Sequence, residues 1–335
     1  MEQMRAVVID PHMGGVPDAL VPMSVPRPTL GKGEVMLQVV TAGVNRADVM
    51  QRHGVYPPPP GASEIPGLEV SGRVTALGTE TEGSGLHVGD EVCALLSGGG
   101  YAEYVAVPAS QVLPVPASVS LSDAAALPEV ACTVWSNLVM EAGLREGETL
   151  LVHGGSSGIG TMAIQVAASL GAHVVVTAGS DEKLKACSEL GAEVLINYRE
   201  EDFVERTLSA TGGRGADVIL DVVGADYLGR NVQALAPDGR LVVIGLLGGR
   251  VGEVDLGALL AKRGRILATS LRSRSIEAKA EIVSQTKNHL WPLFGPNGKH
   301  SMRSIIQSRY PLEGAASAHR EMEASNHIGK ILLDV

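Results

Sequence analysis

Short hydrophobic segments separated by glycine and proline dominate the first third of the chain. They are rich in valine and have the length of strands in a small β-domain. The predicted strands cover residues 5–10, 34–41, 68–77, 91–95 and 101–107. A proline run at 57–60 is incompatible with a helix or a central strand, so it forms a stiff loop. This pattern predicts a compact, barrel-like antiparallel domain over residues 1–120.

Strand-like and helical segments alternate from Leu121 onward. Residues 158–170 have apolar positions at helical spacing, and Thr161, Gln165 and Ser169 form a polar stripe opposite them. A second helix is predicted at 182–190. Buried-type strands are predicted at 149–153, 173–177, 193–198, 217–222, 241–245 and 266–271. This alternation is typical of a Rossmann-type doubly wound parallel sheet, which we assign to residues 121–289.

The C-terminal segment returns to one helix, at 312–324, and one strand, at 330–335. We expect residues 290–335 to pack back onto the N-terminal domain and complete it. The predicted fold class is therefore α/β, with a β-rich domain and a doubly wound sheet.

Length and composition agree with two globular domains. The chain has 335 residues, of which 45% are hydrophobic and 19% are charged. Its net charge of −10 argues against a general nucleic-acid binder, which needs a basic footprint. No apolar run reaches the ~18 residues of a membrane span, and the N-terminus lacks signal or transit features. We therefore expect a cytoplasmic protein that binds neither nucleic acid nor membrane.

A glycine-rich turn at 154–160, Gly-Gly-Ser-Ser-Gly-Ile-Gly, joins a predicted strand to a predicted helix. Gly155 and Gly160 fit the dinucleotide pattern G-x-G-x-x-G, and Ser157 takes the place of the middle glycine. Glycines let the backbone approach a pyrophosphate, and the helix N-terminus offers N–H groups and a favourable dipole. A plain strand–helix turn is the alternative, but the strand before and the amphipathic helix after favour dinucleotide binding.

The end of the next strand distinguishes NADPH from NADH. An acid about 20 residues past the glycines would hold the ribose 2′-hydroxyl of NADH. Here residues 177–180 are Thr-Ala-Gly-Ser, and Ser180 and Asp181 resemble a helix N-cap. Lys183 falls in the first helical turn and Tyr198 ends the following strand, so both are candidates to face a 2′-phosphate; a solvated helix face and an ordinary strand end are the alternatives. We expect NADPH.

Several motifs are shared with one family. They are Ala-Gly-Val-Asn-Arg-Ala-Asp at 42–48, Gly-Val-Tyr-Pro-Pro-Pro at 54–59, Gly-Leu-Glu-Val-Ser-Gly at 67–72, Val-His-Gly-Gly-Ser-Ser-Gly-Ile-Gly at 152–160, Thr-Ala-Gly-Ser at 177–180, Ile-Asn-Tyr-Arg-Glu at 196–200 and Asn-His-Ile-Gly-Lys at 326–330. On these motifs the chain resembles, over nearly its whole length, the zinc-free quinone oxidoreductases of the medium-chain dehydrogenase/reductase superfamily, in the branch named for the tumour-suppressor-inducible enzyme.

The resemblance implies a GroES-like β-rich catalytic domain, a six-stranded nucleotide domain and a cleft between them, in a homodimer or homotetramer. It implies that Asn45, Tyr56 and Thr133 lie near the nicotinamide. The other implied cofactor residues are Ser157 and Gly158 at the phosphates; Gly179, Lys183 and Tyr198 around the adenosine and its 2′-phosphate; and Gly245, Leu246, Leu247, Ser270, Leu271 and Arg272 in the loops that complete the cleft.

The zinc-dependent members of the superfamily hold the metal with an early cysteine, a histidine in Gly-His-Glu and a later cysteine. Asn45 and Leu68 stand at the first two of these places, and an isobutyl group cannot coordinate a cation. Three cysteines in the whole chain cannot build a four-cysteine zinc lobe. We therefore expect no metal. Without a Lewis acid, alcohol oxidation is disfavoured, whereas quinones and conjugated enones delocalise the charge that a hydride brings.

No side chain stands out as an obligatory general acid. Asn45 and Tyr56 are the candidate catalytic residues, as positioning groups for the acceptor or the nicotinamide, and Cys132 is expected to be a buried, inert thiol. The predicted function is NADPH-dependent quinone reduction by direct hydride transfer. Two alternatives stay open: reduction of the double bond of a 2-alkenal, enone or enoyl thioester, and NADPH binding without catalysis. An enoyl thioester needs a basic track for a coenzyme arm, for which the sequence offers only Arg272 and Arg274.

Overall fold

The computed structural model describes residues 2–295 and 301–335. The strands are β1 (Gln3–Ile9), β2 (Leu20–Pro26), β3 (Glu34–Val44), β4 (Glu69–Leu77), β5 (Glu91–Leu95), β6 (Tyr104–Pro108), β7 (Val112–Pro114), β8 (Thr149–His153), β9 (His173–Ala178), β10 (Val194–Asn197), β11 (Ala216–Asp221), β12 (Leu235–Val243), β13 (Arg265–Ala268), β14 (Ile306–Pro311) and β15 (Lys330–Asp334). The α-helices are α1 (Arg46–Arg52), α2 (Pro128–Val134), α3 (Gly158–Ser169), α4 (Asp181–Glu189), α5 (Phe203–Ala210), α6 (Leu228–Ala234), α7 (Leu256–Ala261), α8 (Ile276–His289) and α9 (Ala315–Ala324).

The chain divides into two compact units, one formed by Met1–Cys132 with Leu271–Val335 and the other by Thr133–Ser270. The β-rich unit therefore extends beyond residue 120, and the chain rejoins it at Leu271 and not near residue 290. Helix α8 explains the second difference, because Lys279 on this helix donates a hydrogen bond to Ser97, and Trp291 just after it donates to the carbonyl of Pro114. The pattern of apolar residues along a helix such as α8 does not reveal which sheet it packs against.

The β-rich unit is a largely antiparallel assembly around β3. Strand β3 pairs antiparallel with β4, β6 and β15, while β14 adds to β15 in parallel. Its core includes Val35, Leu37, Val70 and Leu333, all fully buried. The sequence pattern missed β2, because Pro22 and Pro26 weaken the strand signal. Within the described residues β2 pairs only with β1, and such an edge position tolerates proline.

The second unit contains a parallel sheet with the order β10-β9-β8-β11-β12-β13 within the described residues. The strand order reverses between β8 and β11, which is the switch point of a doubly wound fold. The α/β fold class, with its GroES-like and Rossmann-type parts, is confirmed.

One face of α3 differs from the prediction. Thr161 and Gln165 were expected to form an outward polar stripe, yet they are only 3% and 6% exposed. Thr161 Oγ1 donates to the carbonyl of Gly158, and Gln165 Nε2 donates to the carbonyl of Thr161. Because the helix's own backbone satisfies these polar groups, the helix can be covered on that side as well.

No helix in residues 2–295 or 301–335 is long and apolar enough to cross a bilayer.

Candidate functional site

The glycine-rich turn between β8 and α3 has the geometry that a phosphate site requires. Gly154 adopts φ +70°, which favours glycine. A Cβ on Gly160 would lie 2.3 Å from the carbonyl oxygen of Gly154, so a side chain there would displace the backbone of the turn. Ser157 is the N-cap of α3, and its Oγ accepts the amide proton of Gly160 at 3.0 Å. Its own hydroxyl proton is then available to a phosphate, beside the N–H groups of Gly158 and the rest of the first turn.

A buried chain of hydrogen bonds connects this turn to the carboxyl ends of the neighbouring strands. Asp221 accepts from Asn231 Nδ2 at 3.1 Å, so the Oδ1 of Asn231 accepts from Nε2 of His153 at 2.7 Å. The Nδ1 of His153 then accepts from the Thr177 hydroxyl at 3.1 Å, and that oxygen accepts the amide proton of Gly154. Burial lowers the pKa of His153 to about 4, so its ring is neutral at neutral pH, and burial raises the pKa of Asp221 to about 6. The network joins the carboxyl ends of β8, β9 and β11 to the turn.

The carboxyl ends of β9 and β10 bring four residues together around Gly179. A Cβ on Gly179 would lie 2.8 Å from the hydroxyl of Tyr198 and 3.3 Å from Nε of Arg199, so both side chains lie against the glycine backbone. Lys183 is half-buried on the first turn of α4, and Ser180 is the N-cap of that helix. Gly179, Lys183 and Tyr198 were predicted from sequence; Arg199 was not.

The electrostatics of this cluster favour a bound anion. Burial, followed by the neighbouring Arg199 guanidinium, lowers the pKa of Lys183. Two cations side by side repel each other, and an anion between them removes that repulsion. The segment 177–180 at the end of β9 contains no carboxylate that would oppose it. A signal for Arg199 was present, since it follows Tyr198 at the end of the adjacent parallel strand.

The other predicted cofactor residues of this unit lie at the same edge of the sheet. Gly245 follows β12, and the next two side chains, Leu246 and Leu247, are exposed by 43% and 60%. Ser270 follows β13 and is half-buried. Thr133 is buried on α2, and its carbonyl accepts from Asn137 Nδ2 at 2.8 Å. Asn137 Oδ1 in turn accepts from Thr269 Oγ1 next to Ser270, so the residues that follow α2 lie near the end of β13.

In the β-rich unit, Asn45 is part of a buried ion-pair network. Its Nδ2 donates to Glu69 Oε1 at 3.0 Å, and its Oδ1 accepts from Lys330 Nζ at 2.6 Å. Lys330 Nζ also pairs with Glu69 Oε1 at 2.6 Å, and the two charged side chains are 5% and 0% exposed. The second oxygen of Glu69 accepts the amide proton of Glu129 at 2.9 Å. Glu69 and Lys330 stand in motifs that the sequence singled out, but their pairing was not predicted.

Arg272 fixes the loop that carries Tyr56. It donates to the carbonyl of Tyr56 at 3.2 Å, to the carbonyl of Ser97 at 2.9 Å and to Gln51 Oε1 at 2.7 Å. The guanidinium carbon lies 5.4 Å from the centroid of the half-buried Tyr56 ring, in cation–π range. Leu271 and Arg272 thus belong to the β-rich unit, where both are buried. Their contact with a cofactor stays a prediction.

The residues at the expected zinc positions do not fit a metal. Leu68 is buried and has no donor atom, and the amide of Asn45 is occupied by Glu69 and the Lys330 ammonium. Cys132 is fully buried, and burial raises the pKa of its thiol. In the part of the chain that the structure describes, no three His, Cys, Asp or Glu side chains converge into a metal-binding group.

Two family models match the chain. The model described as "Alcohol dehydrogenase GroES-like domain" matches residues 31–117, and the model described as "Zinc-binding dehydrogenase" matches residues 158–285. The second description names a metal for which the residues above provide no ligands.

Two curated relatives show how far the similarity extends. Quinone oxidoreductase 1 of Escherichia coli is 31% identical over 329 residues, which cover 98% of this chain and 99% of that protein. A phenolphthiocerol/phthiocerol polyketide synthase subunit of Mycobacterium tuberculosis is 36% identical over 180 residues. That match covers 54% of this chain but only 8% of the much longer synthase.

Solved structures resemble the whole chain. The mycobacterial protein Rv1454c, solved in complex with NADPH, has a TM-score of 0.88 and 31% identity, covering 99% of this chain and 100% of that one. The CurK enoyl reductase has a TM-score of 0.85 and 26% identity, covering 99% of each chain.

Proposed function

We propose a function on the premise that the chain belongs to the quinone oxidoreductase family of the medium-chain dehydrogenase/reductase superfamily, as its full-length similarity establishes. The proposed activity is NADPH-dependent reduction of a quinone by direct hydride transfer, without zinc. The observation that supports the proposal most strongly is the Asn45–Glu69–Lys330 network. Asn45 stands where the resemblance puts the first zinc ligand, and its amide is already hydrogen-bonded to both members of a buried ion pair.

The chain's residues fit NADPH. Ser157, Gly158 and the first turn of α3 would bind the pyrophosphate, and Gly179, Lys183, Tyr198 and Arg199 would bind the 2′-phosphate. We propose further contacts from Thr133, Gly245, Leu246, Leu247, Ser270, Leu271 and Arg272. When bound, NADPH supplies the hydride. The protein orients the cofactor and the acceptor and keeps water out, with Asn45 and Tyr56 as positioning groups.

The missing Lewis acid restricts the acceptor. An alkoxide formed from a simple ketone or aldehyde would carry its charge on one oxygen without stabilisation. A quinone spreads that charge over its ring and second oxygen, so it needs little help from the protein. This argument favours quinones and, next, conjugated enones.

The test follows NADPH absorbance at steady state with a soluble ortho-quinone, with NADH in parallel and a chelator in one sample. We expect turnover that prefers NADPH and does not change with the chelator. Loss of turnover on chelation would contradict the zinc-free proposal. NADPH binding without oxidation by a quinone or a 2-alkenal would show a binding protein instead of an enzyme.

Tyr56→Phe is expected to keep most of the quinone turnover, with kcat lowered by less than about tenfold. The reason is that a reduced quinone can take its proton from water, so the phenol is not an obligatory donor. Comparison of kcat and of the NADPH dissociation constant with those of the unsubstituted enzyme checks this. If the variant binds NADPH normally but loses nearly all turnover, Tyr56 is the general acid, and the proposal that no proton donor is obligatory is wrong.

Reduction of an activated carbon–carbon double bond is the second candidate, because one matched structure is an enoyl reductase and one matched relative is a polyketide synthase. Activity with a 2-alkenal or an enoyl thioester, but with no quinone, would favour it.

We also propose that the protein is a cytoplasmic homodimer or homotetramer. Light scattering would measure the mass of the assembly in solution.

A further inference from the structure

A recess of about 560 Å³ lies within the β-rich unit, between the proline-rich loop, β6 and the start of α8. Much of its wall is apolar, with Pro59, Ile65, Leu96, Val107 and Ile276 among the lining residues. Its charged lining residues are Arg272, Arg274, Lys279 and Glu34. An apolar wall with a cluster of cations suits an amphiphilic ligand that carries one negative group.

Among the described residues, the two buried cations of the recess donate hydrogen bonds only to neutral groups. Arg272 and Lys279 are each 3% exposed. Within residues 2–295 and 301–335 neither forms an ion pair; Arg272 donates to two carbonyls and an amide oxygen, and Lys279 donates to the hydroxyl of Ser97. An ammonium has three protons to donate, and the described residues supply a single acceptor for them. Lys279 therefore has donor capacity left for a ligand.

Burying a cation without an ion-pair partner is unfavourable. Glu129 acts electrostatically on both cations and Asp48 on Arg272, but among the described residues neither carboxylate forms an ion pair with them. Burial is the main reason that the pKa values of both Arg272 and Lys279 are lowered. Helix α8 adds to the positive potential, because its N-cap, Ser275, and its first residue, Ile276, line the recess. The opposing charge within the lining itself is Glu34, whose carboxylate accepts the amide proton of Gly31 at 2.8 Å. Within the lining, the buried Arg272 and Lys279 and a helix N-terminus face this one carboxylate.

We propose that this recess binds the anionic substituent, a carboxylate, sulfonate or phosphate, of an otherwise apolar acceptor. Arg272 connects the recess to the loop of Tyr56, so a ligand seated there lies beside a candidate acceptor-positioning residue. The claim that the ligand is an acceptor rests on the proposed function. The claim that the recess binds an aromatic anion is independent of that function. The substituent of a ring and the phosphate of a thioester arm share this chemistry, and the probes below separate them.

The experiment measures calorimetric dissociation constants for naphthalene-2-sulfonate and for its neutral analogue 2-naphthalenemethanol, with the full chain saturated with NADPH. We expect the sulfonate to bind at least about tenfold more tightly, as charge-assisted hydrogen bonds imply. Lys279→Met should reduce this discrimination about tenfold. Lys287→Met, which removes the same charge from an exposed position on α8 outside the recess, should retain it. Equal affinities, or discrimination that survives Lys279→Met, would overturn the proposal.

A second variant covers the case in which Lys279→Met folds poorly. Glu34→Gln removes the opposing charge of the lining. It should increase the affinity for the sulfonate severalfold and leave the affinity for the neutral analogue unchanged. An unchanged sulfonate affinity would contradict a site within this recess.

Two more probes identify the anion. Tighter binding of 2-naphthyl phosphate than of the sulfonate would support the phosphate of a thioester arm, and the reverse would support an acidic ring. Inorganic phosphate that binds as tightly as either would show that the apolar wall contributes nothing, against the proposal. Binding is measured without turnover, so the two proposals can fail separately. If the protein binds the sulfonate but reduces no quinone, the proposed function is wrong and the proposed anion site stands.

Discussion

Replacing Lys183 and Arg199 together with alanine is expected to reduce the preference for NADPH over NADH by roughly 10²-fold. Each cation would make a charge-assisted hydrogen bond to the 2′-phosphate, and such bonds contribute about 1.5–3 kcal/mol each. The ribose hydroxyl of NADH makes no comparable contact with either residue, so kcat/KM with NADH should change little. The ratio of kcat/KM for the two cofactors is the measurement.

The control for this variant is Lys185→Ala, because Lys185 is exposed on the same helix and two residues away from Lys183. It removes a positive charge from α4 without altering the cluster around Gly179. If the double variant keeps its cofactor preference, the 2′-phosphate is bound elsewhere. If Lys185→Ala reduces the preference equally, the net charge of the helix and not the cluster accounts for it.

Lys330→Met is expected to lower the free energy of unfolding of the β-rich unit by about 3–5 kcal/mol. The substitution leaves Glu69, which is fully buried, without its cationic partner, and removal of one member of a buried pair is far more costly than loss of a surface pair. Urea unfolding can be followed by the fluorescence of Trp291, which is buried in this unit, after Trp135→Phe removes the other of the two tryptophans.

The double variant Lys330→Met/Glu69→Gln distinguishes charge from packing. It removes both charges, so most of the lost stability should return. The comparison variant is Arg73→Met, because Arg73 pairs with Glu91 in the same unit with both side chains about half exposed. That change should cost no more than about 1 kcal/mol. A cost for Lys330→Met as small as that for Arg73→Met would show that the buried pair does not stabilise the unit.

The parts of the site that the sequence predicted depend on local geometry. The turn at 154–160 was recognised because the glycine spacing, the preceding strand and the following amphipathic helix can all be identified from one contiguous stretch of sequence. Lys183 and Tyr198 were found for a related reason: parallel strands end at one edge of their sheet, so residues after β9 and β10 are neighbours. Gly179 was implied by the family resemblance. Arg199 was missed because consecutive residues in an extended chain usually face opposite ways, and only the turn after β10 brings it onto Gly179.

Other features depended on which surfaces the elements cover. The polar stripe of α3 was misassigned because periodicity identifies polar positions but not whether their own backbone satisfies them. The start of the second unit was placed too early and its end too late, since a helix such as α8 carries the same pattern whichever sheet it packs against.

The sequence by itself determined the alternation of strands and helices after residue 121, the dinucleotide turn and the absence of an acid at the end of β9. Each of these follows from residue type and near-neighbour spacing. Only the tertiary structure decided that Lys330 meets Asn45, 285 residues away, and that Arg272 reaches Gln51 across 221 residues. Contacts over such separations are set by how sheets and helices pack around a common core, and that packing has no period in the chain from which it can be predicted.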